Sequence, residues 1–261
     1  MKQYLRLFTV LAAISTPAQA ALLWMDNFDA SDTNNFDGAS LAGRLSGTES
    51  GNTTFRSWGF QQSISNNQLL MPQGGNGVRF GGQTTRYDWA SGTSGPAILA
   101  AGGFVVAFDW IPQDNTDGEW VSYQVGTINN DSGNLTNGGT DYGILFRNAG
   151  GTERFDNGTN LGPGGNFIAT ANPIPRRVEI TYSFSSFADG SLVNVVSKVD
   201  GLQVASDSFT WDSNGGEMRM EMGNGVNNTR IDNFSVNTIP EPSSVLLLAG
   251  VLGLVSRRRR A

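Results

Sequence analysis

Residues 177–184 read Arg-Val-Glu-Ile-Thr-Tyr-Ser-Phe, with Val178, Ile180, Tyr182 and Phe184 on one side of an extended chain and polar residues on the other. That period of two is the mark of a half-buried strand. Residues 217–222 repeat it, setting three methionines against Glu217, Arg219 and Glu221, and residues 104–110 are almost continuously apolar, as suits a central strand. Further strands are expected at 22–28, 68–71, 78–80, 120–125, 142–147, 192–199, 202–210 and 230–236. Asp200-Gly201 lies between two of these runs and predicts a tight hairpin, because both turn residues must tolerate positive φ. Between the two ends of the chain no stretch carries ten or more residues of helical period, and the Asn/Gly/Thr-rich segment 127–140 reads as a long loop. A dozen short strands joined by turns, in a chain with 34 glycines, predict an all-β sandwich.

The residues that are missing narrow the chemistry. The 261-residue chain has neither His nor Cys, which excludes Ser-His-Asp and Cys-His nucleophiles, His- or thiolate-ligated zinc, haem, iron-sulfur clusters and disulfides. Carboxylates, hydroxyls, amides, arginine and backbone remain. Setting aside Lys2, Arg6 and four terminal arginines leaves 11 basic against 23 acidic residues, a net charge of −12 over residues 21–241. That surface repels phosphate backbones and anionic lipid, so nucleic acid is not an expected partner.

The two ends read as addresses. Residues 1–20 have a positive start at Lys2 and Arg6, an apolar run, and Ala18-Gln19-Ala20 before Ala21, the pattern of a secretory signal peptide. At the other end Pro240, Glu241 and Pro242 precede a mostly apolar stretch, 243–256, and then Arg257, Arg258, Arg259 and Arg260. Arginine is costly in hydrocarbon and favoured on the cytoplasmic side, so this tail reads as a transient single-pass inner-membrane anchor of defined orientation. Fourteen residues span only about 21 Å against a core of about 30 Å, a gap that snorkelling arginines and local thinning narrow. The order of proline-glutamate-proline, apolar helix and arginine cluster, over residues 239–261, resembles the PEP-CTERM sorting signal of Gram-negative bacteria. The resemblance implies an exosortase as processing partner and a place in the cell envelope, at the surface or in the extracellular matrix. It also implies an association with exopolysaccharide and biofilm.

The domain between, residues 21–238, resembles the concanavalin A-like, laminin-G-like jelly roll in its opening Trp24-Met25-Asp26-Asn27-Phe28-Asp29, its middle strand at 103–110, the hairpin at Asp200-Gly201 and its closing Arg230-Ile231-Asp232-Asn233-Phe234. That likeness implies a structural calcium where first and last strands meet, with Asp26, Asp29 and Asp232 as its carboxylates. Asp114 to Glu119 is acidic as well, but it lacks the spacing of the twelve-residue calcium loop and reads as a turn.

Catalysis by a pair of carboxylates needs no histidine. Glu217 and Glu221 share a strand face, but their Cα atoms stand about 13 Å apart, beyond the carboxyl separations of about 5–9.5 Å that glycosidases use. Laminarinase-type jelly rolls carry Glu-x-Asp-x-x-Glu, and this chain does not. No catalytic residue is therefore assigned, and the reading favours a non-catalytic glycan- or matrix-binding protein over a divergent glycoside hydrolase or lyase. Trp58, Tyr87, Trp89, Trp120, Tyr123 and Trp211 are the candidate sugar-stacking rings, since flat aromatic faces match the apolar faces of sugars.

Overall fold

The computed structural model describes residues 20–28, 56–58, 63–71, 77–80, 94–113, 119–126, 135, 140–168, 174–212, 220–224 and 229–240. Ala21–Ile239 form one compact unit. Among the described residues its strands are β1 (Leu22–Asp26), β2 (Arg56–Trp58), β3 (Ser63–Ser65), β4 (Gln68–Met71), β5 (Gly77–Phe80), β6 (Gly103–Ile111), β7 (Trp120–Val125), β8 (Tyr142–Arg147), β9 (Thr152–Asp156), β10 (Thr159–Pro163), β11 (Arg176–Ser183), β12 (Leu192–Val199), β13 (Leu202–Thr210), β14 (Met220–Asn224) and β15 (Thr229–Thr238), with one short helix, α1 (Ser94–Ala100).

They form two antiparallel sheets. The first runs β13-β12-β11-β6-β15-β4-β3, with β1 also on β15, and the second runs β10-β9-β8-β7-β14-β5-β2. The crossovers in this order, and the two apolar faces closed on each other, make a jelly-roll β-sandwich. Period-two patterning sets which face is in. In β11, Val178, Ile180 and Tyr182 are buried between the sheets while Arg177, Glu179 and Thr181 face outward. In β7, Val121, Tyr123 and Val125 join the core. The hairpin expected at Asp200-Gly201 is present, with φ of 51° and 79°. The same device, Asn157-Gly158 at 45° and 75°, joins β9 to β10. Those two strands, together with β2, β3 and α1, were not expected from the alternation, because Thr152 to Asp156 is polar at most positions.

Aromatic rings fill one end of the core. Trp211, just past β13, meets Phe209 at 5.1 Å, Phe184 at 5.5 Å and Phe187 at 6.3 Å between centroids, and Phe209 in turn stacks on Tyr142 at 5.5 Å. Such pairs contribute about 0.5–1.5 kcal/mol each beyond the burial of their area.

Candidate functional site

Two flanks of the sandwich carry polar side chains in defined arrangements. The first is the corner where β1, β15 and β6 lie side by side. Here the first and last strands are neighbours, with Asp26 in register with Phe234 and Asp232 with Asp109 across β15 and β6. A bulge between Asp232 and Ser235 puts Asn233 at φ 47°. Its backbone N–H donates to Asp232 Oδ1 at 2.8 Å and its side-chain amide to Asp109 Oδ2 at 2.7 Å. Arg177 completes the corner, donating to Asp109 Oδ1 at 3.1 Å and to the Asn233 carbonyl at 3.3 Å. The topology thus brings Asp26 and Asp232 to one corner, where the carboxylates whose side chains are described, Asp109 and Asp232, are hydrogen-bonded within the protein. A cation needs several oxygens with lone pairs to spare. Here Asp232 caps its own neighbour and the adjoining carboxylate faces a guanidinium. Among the described residues no three acidic side chains gather. Asp29 lies outside the described residues.

The second flank is where β9 and β10 of one sheet approach β13 of the other. After β10 the chain crosses from sheet to sheet as a strap. Gly164 N–H donates to the Thr152 carbonyl at 2.9 Å, Gly165 N–H to the Val204 carbonyl at 2.5 Å, and Phe167 N–H to the Gly150 carbonyl at 2.8 Å. Glycine is required for this approach, since a Cβ on Gly164 would stand 2.2 Å from Thr152 Oγ1. Phe167 is buried in the core, and the Arg176 guanidinium lies 4.8 Å from its ring centre. Arg176 also donates to the Ile168 carbonyl and, at 2.9 Å, to Asp200 Oδ2. Burial draws the Arg176 pKa below its ordinary value, and Asp200 opposes the fall.

Beside the strap is an open cleft of about 290 Å³, lined by Arg154, Gly164, Gly165, Gln203 and Ser206 among others. Arg154 is held from three directions. It donates to Asp207 Oδ1 at 2.6 Å and to the carbonyls of Leu161 and Pro163 at 3.3 and 3.2 Å. Asp207 takes a second bond from the Tyr142 hydroxyl at 2.8 Å. Burial, with Asp207 beside it, pushes the Tyr142 phenol well above its ordinary pKa, so it stays a donor at any physiological pH. With both carboxylate oxygens engaged, Asp207 serves this network as an acceptor.

The aromatic candidates separate by position. Tyr123 and Trp211 are fully buried in the core, where no sugar ring can reach them. Both are corrections to the sequence reading, and for Tyr123 the parity of β7 carries the reason, since it alternates with Val121 and Val125. Trp120 has the opposite parity and packs, partly buried, on the outer face of the second sheet with Leu135, Leu145 and Phe155. Trp58 falls in β2. Tyr87, Trp89 and Glu217 lie outside the described residues, as do Glu241, Pro242, Arg257, Arg258, Arg259 and Arg260. Pro240 is described and exposed, two residues past the end of β15. Among the described residues no helix is long and apolar enough to cross a membrane.

Residues 238–260 match the PEP-CTERM protein-sorting motif family. The chain therefore carries that sorting motif at its C-terminal end. No curated protein sequence matches it. Among solved structures the fold is similar to Trypanosoma rangeli sialidase in complex with 2,3-difluorosialic acid, at 11% identity over 76% of this chain and 30% of that one, with a TM-score of 0.47. It is also similar to the carbohydrate recognition domain of Emp46p in a potassium-bound form, at 8% identity over 73% and 90%, TM-score 0.44. Caenorhabditis elegans galectin LEC-6 is similar at 11% identity over 51% and 81%, TM-score 0.32. The chain spans less than a third of the sialidase.

Proposed function

We propose that this protein is an exported, exosortase-sorted component of the cell envelope or extracellular matrix, whose sandwich acts without catalysis as a glycan- or matrix-binding module of exopolysaccharide or biofilm. In this reading residues 1–20 leave as a signal peptide. Arg257, Arg258, Arg259 and Arg260 hold the tail at the inner membrane while the exosortase engages Pro240, Glu241 and Pro242.

The observation that carries the sorting step is where the matched motif begins. It starts at residue 238, where β15 ends. Thr238 is clasped to the first residue of the domain: Ala21 N–H donates to Thr238 Oγ1 at 2.8 Å, and Thr238 N–H donates to the Ala21 carbonyl at 2.9 Å. Both expected processing points therefore lie just outside the folded unit, so each end can be removed without breaking a strand. Cleavage before Ala21 would turn its amide into an ammonium, which makes a stronger, charge-assisted bond to Thr238. The glycan role is supported by the −12 charge of the exported part, which suits uncharged partners, and by the polar cleft beside the strap.

The test is Glu241→Ala in a Gram-negative host that has the sorting enzyme. The variant is expected to accumulate in the inner-membrane fraction with its tail intact, while wild type moves on. The same distribution for both would overturn the sorting assignment.

A further inference from the structure

We infer that the cleft beside the 163–165 strap is the ligand site of this domain and that it takes one unit of a neutral polysaccharide chain; this assignment rests on the glycan-binding reading above. Three observations carry it. The first is size and shape. At about 290 Å³ the cleft sits at the lower limit of small-ligand sites, about 300–1,000 Å³, and it is open on the solvent side. An open groove of that size holds one ring of a longer chain and lets both ends leave.

The second is charge. Arg154, the one cation among the described lining residues, is neutralised by Asp207 at 2.6 Å. A carboxylated or sulfated sugar would meet the repulsion of a chain with net charge −12 over residues 21–241, and the described lining has no unpaired cation to offset it. A neutral sugar meets neither penalty.

The third is hydrogen-bonding sense. Sugar hydroxyls both donate and accept, and the lining offers both in the amide of Gln203 and the hydroxyl of Ser206, on exposed residues, while Gly164 and Gly165, whose N–H groups are engaged within the strap, keep side chains out of the cleft. Arg154 Nε is enclosed, while the terminal nitrogens of the guanidinium donate to Asp207, Leu161 and Pro163. The three bonds fixing its other nitrogens hold the guanidinium in place before any ligand arrives, so little ordering cost remains for binding.

The experiment is hydrogen–deuterium exchange on the full-length chain in a non-glycosidic detergent, with cellotetraose, laminaritetraose and maltotetraose as neutral probes and tetramannuronate as the acidic one. A neutral tetrasaccharide is expected to slow exchange in peptides covering residues 161–166 and 202–207. Gln203→Ala with Ser206→Ala should weaken its binding about tenfold while leaving the melting temperature unchanged, and tetramannuronate should have no effect. Protection by a neutral sugar at another surface would overturn the cleft assignment and leave the glycan reading standing. Equal protection by tetramannuronate would overturn the neutral class. If no probe binds at up to about 10 mM, both the site and the glycan-binding reading fail.

Discussion

Two adjacent arginines mark the difference between the two flanks. Arg176 and Arg177 alternate across β11, so one points into the sandwich and the other out. The side chain of Arg176 is 1% exposed and clamps the strap to Asp200 and Phe167, whereas that of Arg177 is 39% exposed and joins Asp109 at the corner. The corner is where sequence patterning placed a metal, because its acidic residues sit in recognisable motifs at the two ends of the domain. The strap flank carried no such signal, and a cleft lies beside it. Carboxylates brought together by topology become a site only if their lone pairs are left unspent, and at the corner both oxygens of Asp109 and one of Asp232 accept from Asn233 and Arg177.

The largest contrast comes from changing those neighbours one at a time. Arg176→Met removes charge-assisted hydrogen bonds from a buried position and is expected to cost about 2–4 kcal/mol, a fall in melting temperature of roughly 5–12 °C for a domain of this size. Arg177→Met removes a solvent-screened pair and should cost no more than about 1 kcal/mol. Thermal melts of the two variants settle it, and equal losses would mean that the strap is not clamped as described.

Less of this contrast was legible in the sequence than the fold was. The strict alternation of 177–184 announced β11 and its inner face, and Asp200-Gly201 announced its hairpin. Asn157-Gly158 is an equally good turn signal, but the polar strands beside it, which bury little, gave it no apolar pattern to punctuate. The cleft was invisible for a different reason. Its parts, Arg154, the strap glycines and Gln203 to Ser206, come from separated segments and are ordinary surface residues until the two sheet edges meet. Trp211 misled in the opposite direction, since it lies just past the end of β13, yet its indole is fully buried in the core.

A smaller effect tests the corner. With its described carboxylates occupied, calcium should shift the melting temperature no more than magnesium at equal concentration, and Asp232→Ala should leave both responses unchanged. A calcium-specific shift of several degrees, lost in Asp232→Ala, would restore a metal there; tight binding at a hundredfold excess would stabilise by about 2.7 kcal/mol.

The smallest expected effect lies back toward the strap flank, at Asp156 on β9. Burial, with the Asp212 carboxylate nearby, raises its pKa above the ordinary 3.8. A raised carboxyl pKa favours the protonated folded state, so ionised Asp156 weakens the fold at neutral pH, and the penalty fades as pH falls through the raised value. Asp156→Asn should therefore melt slightly higher than wild type at pH 7, with the gain disappearing below pH 3.8. A gain that persists in acid would assign the effect to something other than ionisation.

Export and sorting of a self-contained sandwich is the claim on which the rest depends, and the intact mass of the wild-type protein recovered from the envelope or medium of its host tests it most directly. The account predicts a chain that begins at Ala21 and has lost Arg257, Arg258, Arg259 and Arg260 along with the apolar stretch before them. A mature protein that retains those arginines would contradict it.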